Sequence, residues 1–222
     1  METGTFGFSV RMAAANRDFS DACVVRAAAY GHHDPEIGPK FGDIDTLDQA
    51  EGVAVLLCRD KDSGQCIGTA RIQVSAFGPL VLENSIALPD WLVNKPRAQI
   101  SRLAVVAGAD PLVKLCLMKA SYQYCLATQV RWMVIGARSP ALIRNYRSLG
   151  FKDVFGAGEW RPMASGGGLP HQILAFDVVG AKAAWQTTKN RLYGFMEETY
   201  HADLELVAAN DSAMQPLQAA AA

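Results

Sequence analysis

The side chains best suited to chemistry in this sequence are three arginines, Arg26, Arg71 and Arg102, and the acids of the run Gly42-Asp43-Ile44-Asp45-Thr46-Leu47-Asp48. A guanidinium is a rigid fork of donors matched to a carboxylate. Arginines interleaved with Asp43, Asp45 and Asp48 therefore either organise a substrate pocket or form an ordinary ion-pair network beneath a loop, and the residues alone leave both readings open. A calcium loop is excluded, because the twelfth position counted from Asp43 is Ala54 rather than Glu. His32 and His33 are adjacent but have no second ligand cluster, so no metal is assigned. The five cysteines are odd in number, lie in apolar segments and lack C-x-x-C spacing, which describes buried thiols in a reducing compartment.

The elements that must position these residues are centred on Arg97 to Gln129. The apolar, β-branched run around Ile100, Leu103, Val105 and Val106 breaks at Gly108, and an apolar periodic segment follows, which predicts a strand feeding a helix. Asp110-Pro111 supplies the N-cap and first turn. A further strand at Trp132 to Gly136 completes a right-handed parallel crossover, and ligands sit where such strands end. Upstream, the pattern predicts a strand at Phe6 to Val10 and an amphipathic helix from Asp18 to Tyr30 that Gly31 ends. A turn-rich stretch from His32 to Glu51 and a hairpin of Gly52 to Arg59 with Cys66 to Ser75 come next. Downstream, a short helix runs from Ser139-Pro140 to Gly150, strands at Phe151 to Phe155 and Gln172 to Val179 flank a glycine-rich loop, and a final helix spans Ala181 to Tyr200.

Length and composition set the bounds. Half of the 222 residues are apolar, which suits one α/β domain over residues 1–206, with 207–222 as a disordered tail. A net charge of −1 gives no support for a nucleic-acid partner. No signal-like start and no apolar run of 18 residues is present, which predicts a soluble, cytoplasmic protein without a transmembrane segment.

The order of elements, with the phrase IRNYRSLGF at residues 143–151, resembles the GCN5-related N-acetyltransferase (GNAT) superfamily. Within it, the chain is similar to the branch of acyl-homoserine-lactone (autoinducer) synthases and N-acyl amino acid synthases. Four local matches carry the resemblance: Arg26 in VVRAAAY, the Gly42 to Asp48 run with Asp43 in place of Glu, Arg71 in IGTARI, and Ser101-Arg102-Leu103. The resemblance implies a mixed α/β (α+β) sheet flanked by helices, two parallel strands of which splay to admit the pantetheine arm of an acyl thioester. It further implies an N-acyltransferase that passes a long-chain acyl group to a small amine, an amino acid above all. Arg26, Asp43, Asp45, Asp48, Arg71, Ser101 and Arg102 would then form the substrate side, with the arginines as candidates for an acceptor carboxylate. Main-chain N–H groups near Leu103 and Val105 would hold the oxyanion, water relayed by the Asp45 and Gln99 region would take the amine proton, and Tyr146 would either protonate the thiolate or simply pack.

Two departures from the branch shape the expectation. Gln99 stands where those proteins have Glu and cannot act as a base. The turn Ala107-Gly108-Ala109-Asp110-Pro111 has one glycine and a carboxylate where acetyl-CoA enzymes of this fold bind a diphosphate on free N–H groups, which makes coenzyme A a poor donor and an acyl carrier protein the better one, with no other cofactor. Between Pro111 and Gly158 seven cations, among them Lys114, Arg138, Arg144, Arg147 and Lys152, face one acid, Asp153. Such a stretch either docks an acidic carrier protein or is a solvated face. The alternatives are an acyl-homoserine-lactone synthase, an acetyl-CoA-dependent acetyltransferase, and a catalytically silent module that only holds an acyl carrier.

Overall fold

A computed structural model describes residues 2–206, and the expected tail, 207–222, lies outside the described residues. In chain order the elements are β1 (Glu2–Gly4), β2 (Phe8–Met12), α1 (Asn16–His33), β3 (Val53–Asp60), β4 (Cys66–Val74), α2 (Asp90–Val93), β5 (Arg97–Val105), α3 (Leu112–Ala127), β6 (Trp132–Ala137), α4 (Pro140–Leu149), β7 (Lys152–Asp153), β8 (Arg161–Pro162), β9 (Pro170–Asp177), α5 (Ala181–Thr187), β10 (Thr199–His201) and β11 (Leu204–Glu205). The main sheet runs β11-β2-β3-β4-β5-β6-β9-β7, with β8 also on β9, while β1 and β10 form a separate parallel pair. On one face α3, α4 and α5 bury Cys116, Leu117, Ile143 and Trp185 against Val10, Leu56, Ile72 and Ile100. On the other face α1 lays Ala22, Val25 and Ala29 on Val55, Leu57 and Ala104. Among the described residues no helix is long and apolar enough to cross a membrane.

Two features of β5 position the site. Strands β5 and β6 are parallel but pair only over Arg97 to Gln99, opposite Trp132 to Val134, after which they splay. Within β5 the register against β4 passes from Thr69 opposite Ala104 to Arg71 opposite Ser101, so Arg102 and Leu103 together stand opposite Ala70. This is a β-bulge, and Arg102 sits in the left-handed region at φ 53°. Strand alternation would send Ser101 and Arg102 to opposite faces. The bulge keeps both on the α1 face and turns Leu103 and Val105 toward the α3 face. A non-glycine residue held there costs on the order of 1–3 kcal/mol, so the surroundings must enforce it.

Several elements differ from the sequence expectation. Helix α1 passes through Gly31 to His33, and Gly38 packs against it so closely that a Cβ there would lie 2.9 Å from the Gly31 Cα. The first strand of the main sheet lies at Phe8–Met12 rather than Phe6 to Val10, and the expected strand at Phe151 to Phe155 is only Lys152–Asp153. The final helix stops at Thr187. Lys189 turns into the left-handed region at φ 49°, a π-helical turn follows at Gly194–Glu198, and Thr199–His201 is strand β10. Pairing of β10 with the first residues of the chain, a contact no local pattern encodes, decides that outcome.

Candidate functional site

The arginines and acids converge on the α1 face. Arg26 projects from the buried side of α1 and donates through both terminal nitrogens to the Asp48 carboxylate, with the longer contact at 3.1 Å. Asp48 is aimed inward by the 3-10 turn Thr46–Gln49, which begins where the Asp45 carboxylate accepts from Leu47 N–H at 3.0 Å. The other Asp45 oxygen accepts from Arg71 at 2.7 Å, while Arg71 also reaches Asp48 at 3.3 Å and donates to Ser101 Oγ at 3.2 Å. Arg102 lies 3.7 Å from Asp45 and over the Phe41 ring, 4.6 Å from its centroid, and Phe41 in turn lies 4.5 Å from Tyr30. Arg26, Asp48 and Arg71 are almost fully buried.

These charges define one another. Burial by itself would raise the Asp45 carboxyl, but hydrogen bonds from Arg71 and Leu47 N–H with the nearby Arg102 hold it below the usual carboxylate range. A carboxylate held that low is a weak proton acceptor and a good organiser of water. Burial lowers the Arg102 guanidinium and raises the Tyr30 phenol.

Next to the cluster is a cavity of about 230 Å³, lined by Arg26, Asp45 and Arg102 together with Lys40, Phe41, Asp43 and Ile44 of the loop after α1. Asp43 thus joins the cavity and not the ion-pair network: its main-chain oxygen accepts from the Cys23 thiol, and its carboxylate has no cationic partner among the described residues. Gln99 is buried on the same sheet face, but its carbonyl accepts from Leu82 N–H at 2.9 Å and fastens the 3-10 turn Val81–Asn84.

Tyr146 belongs to the opposite face, packed in α4 against Phe151 with Lys114 Nζ 5.6 Å from its ring centroid. Burial raises its phenol, with Tyr30 as a further influence from across the splay. Among the described residues nothing hydrogen-bonds its hydroxyl. The loop residues Lys40 and Phe41 escaped the sequence reading, and no spacing signal marks them, whereas Tyr30 beneath them is the aromatic that ends VVRAAAY. His171 at the start of β9 escaped it too: buried, with Nδ1 2.7 Å from the Leu169 carbonyl oxygen, it is held below its ordinary value by burial, Arg138 adding to the effect.

The basic stretch divides. Lys119 is not a surface cation, since it is buried with Nζ on the Phe195 and Thr199 carbonyls. Arg131 pairs with Asp177 and Arg147 with Asp153, both at 2.8 Å. Lys114, Arg138, Arg144 and Lys152 have no acidic partner among the described residues; the last three are exposed and Lys114 is half-buried. At the turn before α3, the Asp110 carboxylate accepts from Leu112 N–H at 2.8 Å, and a hollow of about 370 Å³ beside it is lined by two acids, Asp60 and Asp110.

Neither a protein-family model nor a curated protein matches the sequence. Solved structures do. FeeM, an N-acyl amino acid synthase from uncultured soil microbes, superposes with a TM-score of 0.62 at 17% identity, covering 86% of this chain and 98% of that one. A putative acetyltransferase of the GNAT family from Desulfovibrio desulfuricans gives 0.53 at 16% identity, over 77% of this chain and 99% of that one. An acyl-CoA N-acyltransferase from Pseudomonas aeruginosa gives 0.52 at 14%, over 76% and 97%. The chain has the GNAT fold.

Proposed function

We propose that this protein is an N-acyltransferase that moves a fatty acyl group from an acyl carrier protein thioester to the amine of a small acceptor, an amino acid in the first instance. The observation that carries the choice of donor is the turn before α3. Its carboxylate already occupies the Leu112 N–H, and Asp60 and Asp110 line the adjoining hollow, so a diphosphate would meet spent donors and like charge. A carrier-bound thioester presents only its pantetheine arm to the splay between β5 and β6.

In this reading the acceptor nitrogen attacks the thioester carbonyl carbon from the α1 face. The C–N bond forms, and charge on the carbonyl oxygen is met by those main-chain N–H groups between Leu103 and Val105 that point away from β4. Water ordered by Asp45 relays the proton of the ammonium, and then that of the attacking amine, to solvent while Asp45 stays ionised. The C–S bond then breaks, and Tyr146 delivers a proton to the departing thiolate and regains one from solvent as the products leave. Lys114, Arg138, Arg144, Arg147 and Lys152 face the carrier, with Arg147 the least available because Asp153 holds it. A second reading, a module that holds an acyl carrier without transfer, is favoured by Gln99, which has no acidic proton chemistry and whose carbonyl is tied to Leu82.

The test compares one acyl chain presented on carrier protein, on coenzyme A and on pantetheine, with mixed amino acids as acceptors and mass spectrometry of the products. N-acyl amino acids should form from the carrier thioester with kcat/KM roughly tenfold or more above the coenzyme A thioester. Arg144→Glu should lower the carrier-bound rate and its salt dependence while sparing acyl-pantetheine. Equal use of coenzyme A would overturn the donor assignment, and carrier binding without product would establish the silent module.

A further inference from the structure

The arginines of the cluster are not equally free to meet a substrate. Arg26 commits both terminal nitrogens to Asp48, leaving only its buried Nε without a partner, and Arg71 commits Nη1 to Asp45 and Asp48 and Nε to Ser101. Both guanidiniums are at most 3% exposed. Arg102 is different: it is 21% exposed, its nearest carboxylate oxygen is 3.7 Å away, beyond hydrogen-bond reach, and its flat face is already supported by Phe41. Lys40, the residue before Phe41, lines the same cavity, and no acid pairs with it among the described residues. The remaining uncommitted charge on the lining is Asp43, of opposite sign.

Among the described residues the cavity thus offers two available cations and one available carboxylate, set around an apolar wall of Phe41 and Ile44. An acceptor that carries both an ammonium and a carboxylate complements this arrangement. A simple amine, an amide or an ester leaves the partly buried Arg102 unmatched and gives the exposed Lys40 no partner. The volume of about 230 Å³ has room for a single amino acid.

We infer that Lys40 and Arg102 together form the subsite for the acceptor's carboxylate, with Asp43 receiving its ammonium, and that Arg26 and Arg71, whose terminal nitrogens are held by Asp48 and Asp45, position this subsite rather than bind the carboxylate. The inference rests on the amino-acid acceptor proposed above, and it adds Lys40 as the residue that selects acids over neutral amines. Because Lys40 precedes Phe41 in the 3-10 turn Gly38–Phe41, the same turn that props Arg102 also carries the second cation. Selection and positioning are thereby coupled in four residues.

The experiment uses the full chain and two probe sets, an equimolar mixture of the common L-amino acids and the matching mixture of their carboxamides. Products of acyl transfer are quantified by mass spectrometry, and binding of each mixture is measured by titration calorimetry without a donor. The parent should acylate and bind the acids, with the amides disfavoured at least tenfold in kcat/KM, about 1.4 kcal/mol. Lys40→Ala should reduce that acid-over-amide ratio about tenfold, and Lys40→Arg should restore it. An unchanged ratio in Lys40→Ala, or a parent that takes amides as readily as acids, overturns the subsite. If no product forms from any thioester, the transferase reading fails, and calorimetry still decides this one: selective binding of acids, lost in Lys40→Ala, supports it, and absence of such binding overturns it.

Discussion

Two buried polar clusters on opposite sides of the sheet solve the same problem differently. On the α1 face, side-chain charges neutralise one another: Arg26 with Asp48, and Arg71 with Asp45 and Asp48. On the α3 face, Lys119 is neutralised by main chain, with Nζ 2.5 Å from the Phe195 carbonyl and 2.7 Å from that of Thr199, while Tyr122 donates to Glu197 at 2.6 Å. Nearby, His201 lies between Phe6 and Phe195, pairs through its backbone with Gly4, and is buried with both ring nitrogens lacking a partner. The first cluster borders a cavity and leaves Arg102 and Lys40 in hand. The second fills itself and fastens the two ends of the described chain to α3. Buried charge matched by side chains at the edge of a cavity leaves room for a ligand to alter the match, whereas charge held by backbone carbonyls fixes a chain path.

The largest effect should follow from breaking the first cluster. Asp48→Asn leaves Arg26 buried against a neutral partner and should cost about 3–5 kcal/mol in urea unfolding. The double replacement Arg26→Met with Asp48→Leu removes both charges and should regain most of that stability without regaining acyl transfer, because the loop that aims Asp45 and Phe41 loses its anchor. Parental turnover in the double variant would show that the pair serves the fold alone.

Lys119→Met should cost less, about 2 kcal/mol for its lost carbonyl contacts, and the loss should be local. Hydrogen exchange should speed up at Thr199 to His201 and at the β1 amides while α1 and β4 keep their protection. Matching losses on both faces would erase the distinction drawn between the clusters.

The smallest effect concerns pH. Burial first, with Lys119 beside it and against the opposing influence of Asp203, holds the His201 imidazole below its ordinary value of 6.5, and burial does the same for His171. The folded state then binds fewer protons than the unfolded chain, so stability declines as pH falls below about 6.5. The carboxylates Asp18, Asp45 and Asp203 are likewise held below their ordinary 3.8, but the stability they contribute is lost only as pH falls below that value. Between pH 7 and 5 the chain-end latch should therefore loosen before the charged site does. His201→Phe should flatten this dependence at β1 and β10, measured as exchange corrected for the intrinsic rate, and a dependence unchanged in that variant would remove His201 as its source.

Much of this molecule is written locally. The strand-turn-helix at Arg97 to Ala127, the hairpin with its Asp60 to Gly64 turn and the helix from Pro140 to Gly150 follow from β-branched runs, turn chemistry, a Ser139 cap that accepts from Leu142 N–H, and a glycine at φ 109°. Short-range sterics and hydrogen bonds decide such elements, and the sequence holds all their terms. The resemblance in its motifs likewise pointed to Arg26, the acids, Arg71 and Ser101-Arg102 as one group. What the sequence could not decide is which of these charges stays available. That depends on the bulge that keeps Arg102 beside Ser101, on the turn that drives Asp48 onto Arg26, and on Phe41 lying under the Arg102 guanidinium. Gln99 reads as a failed base and turns out to tether Leu82. Lys119 counts among the seven cations of the basic stretch and is core. The final helix reads as continuous to Tyr200, yet β1, some 200 residues earlier, takes its last turn as strand β10. Each of these outcomes rests on contacts between segments far apart in the chain, where the free energy of burial and pairing outweighs local preference.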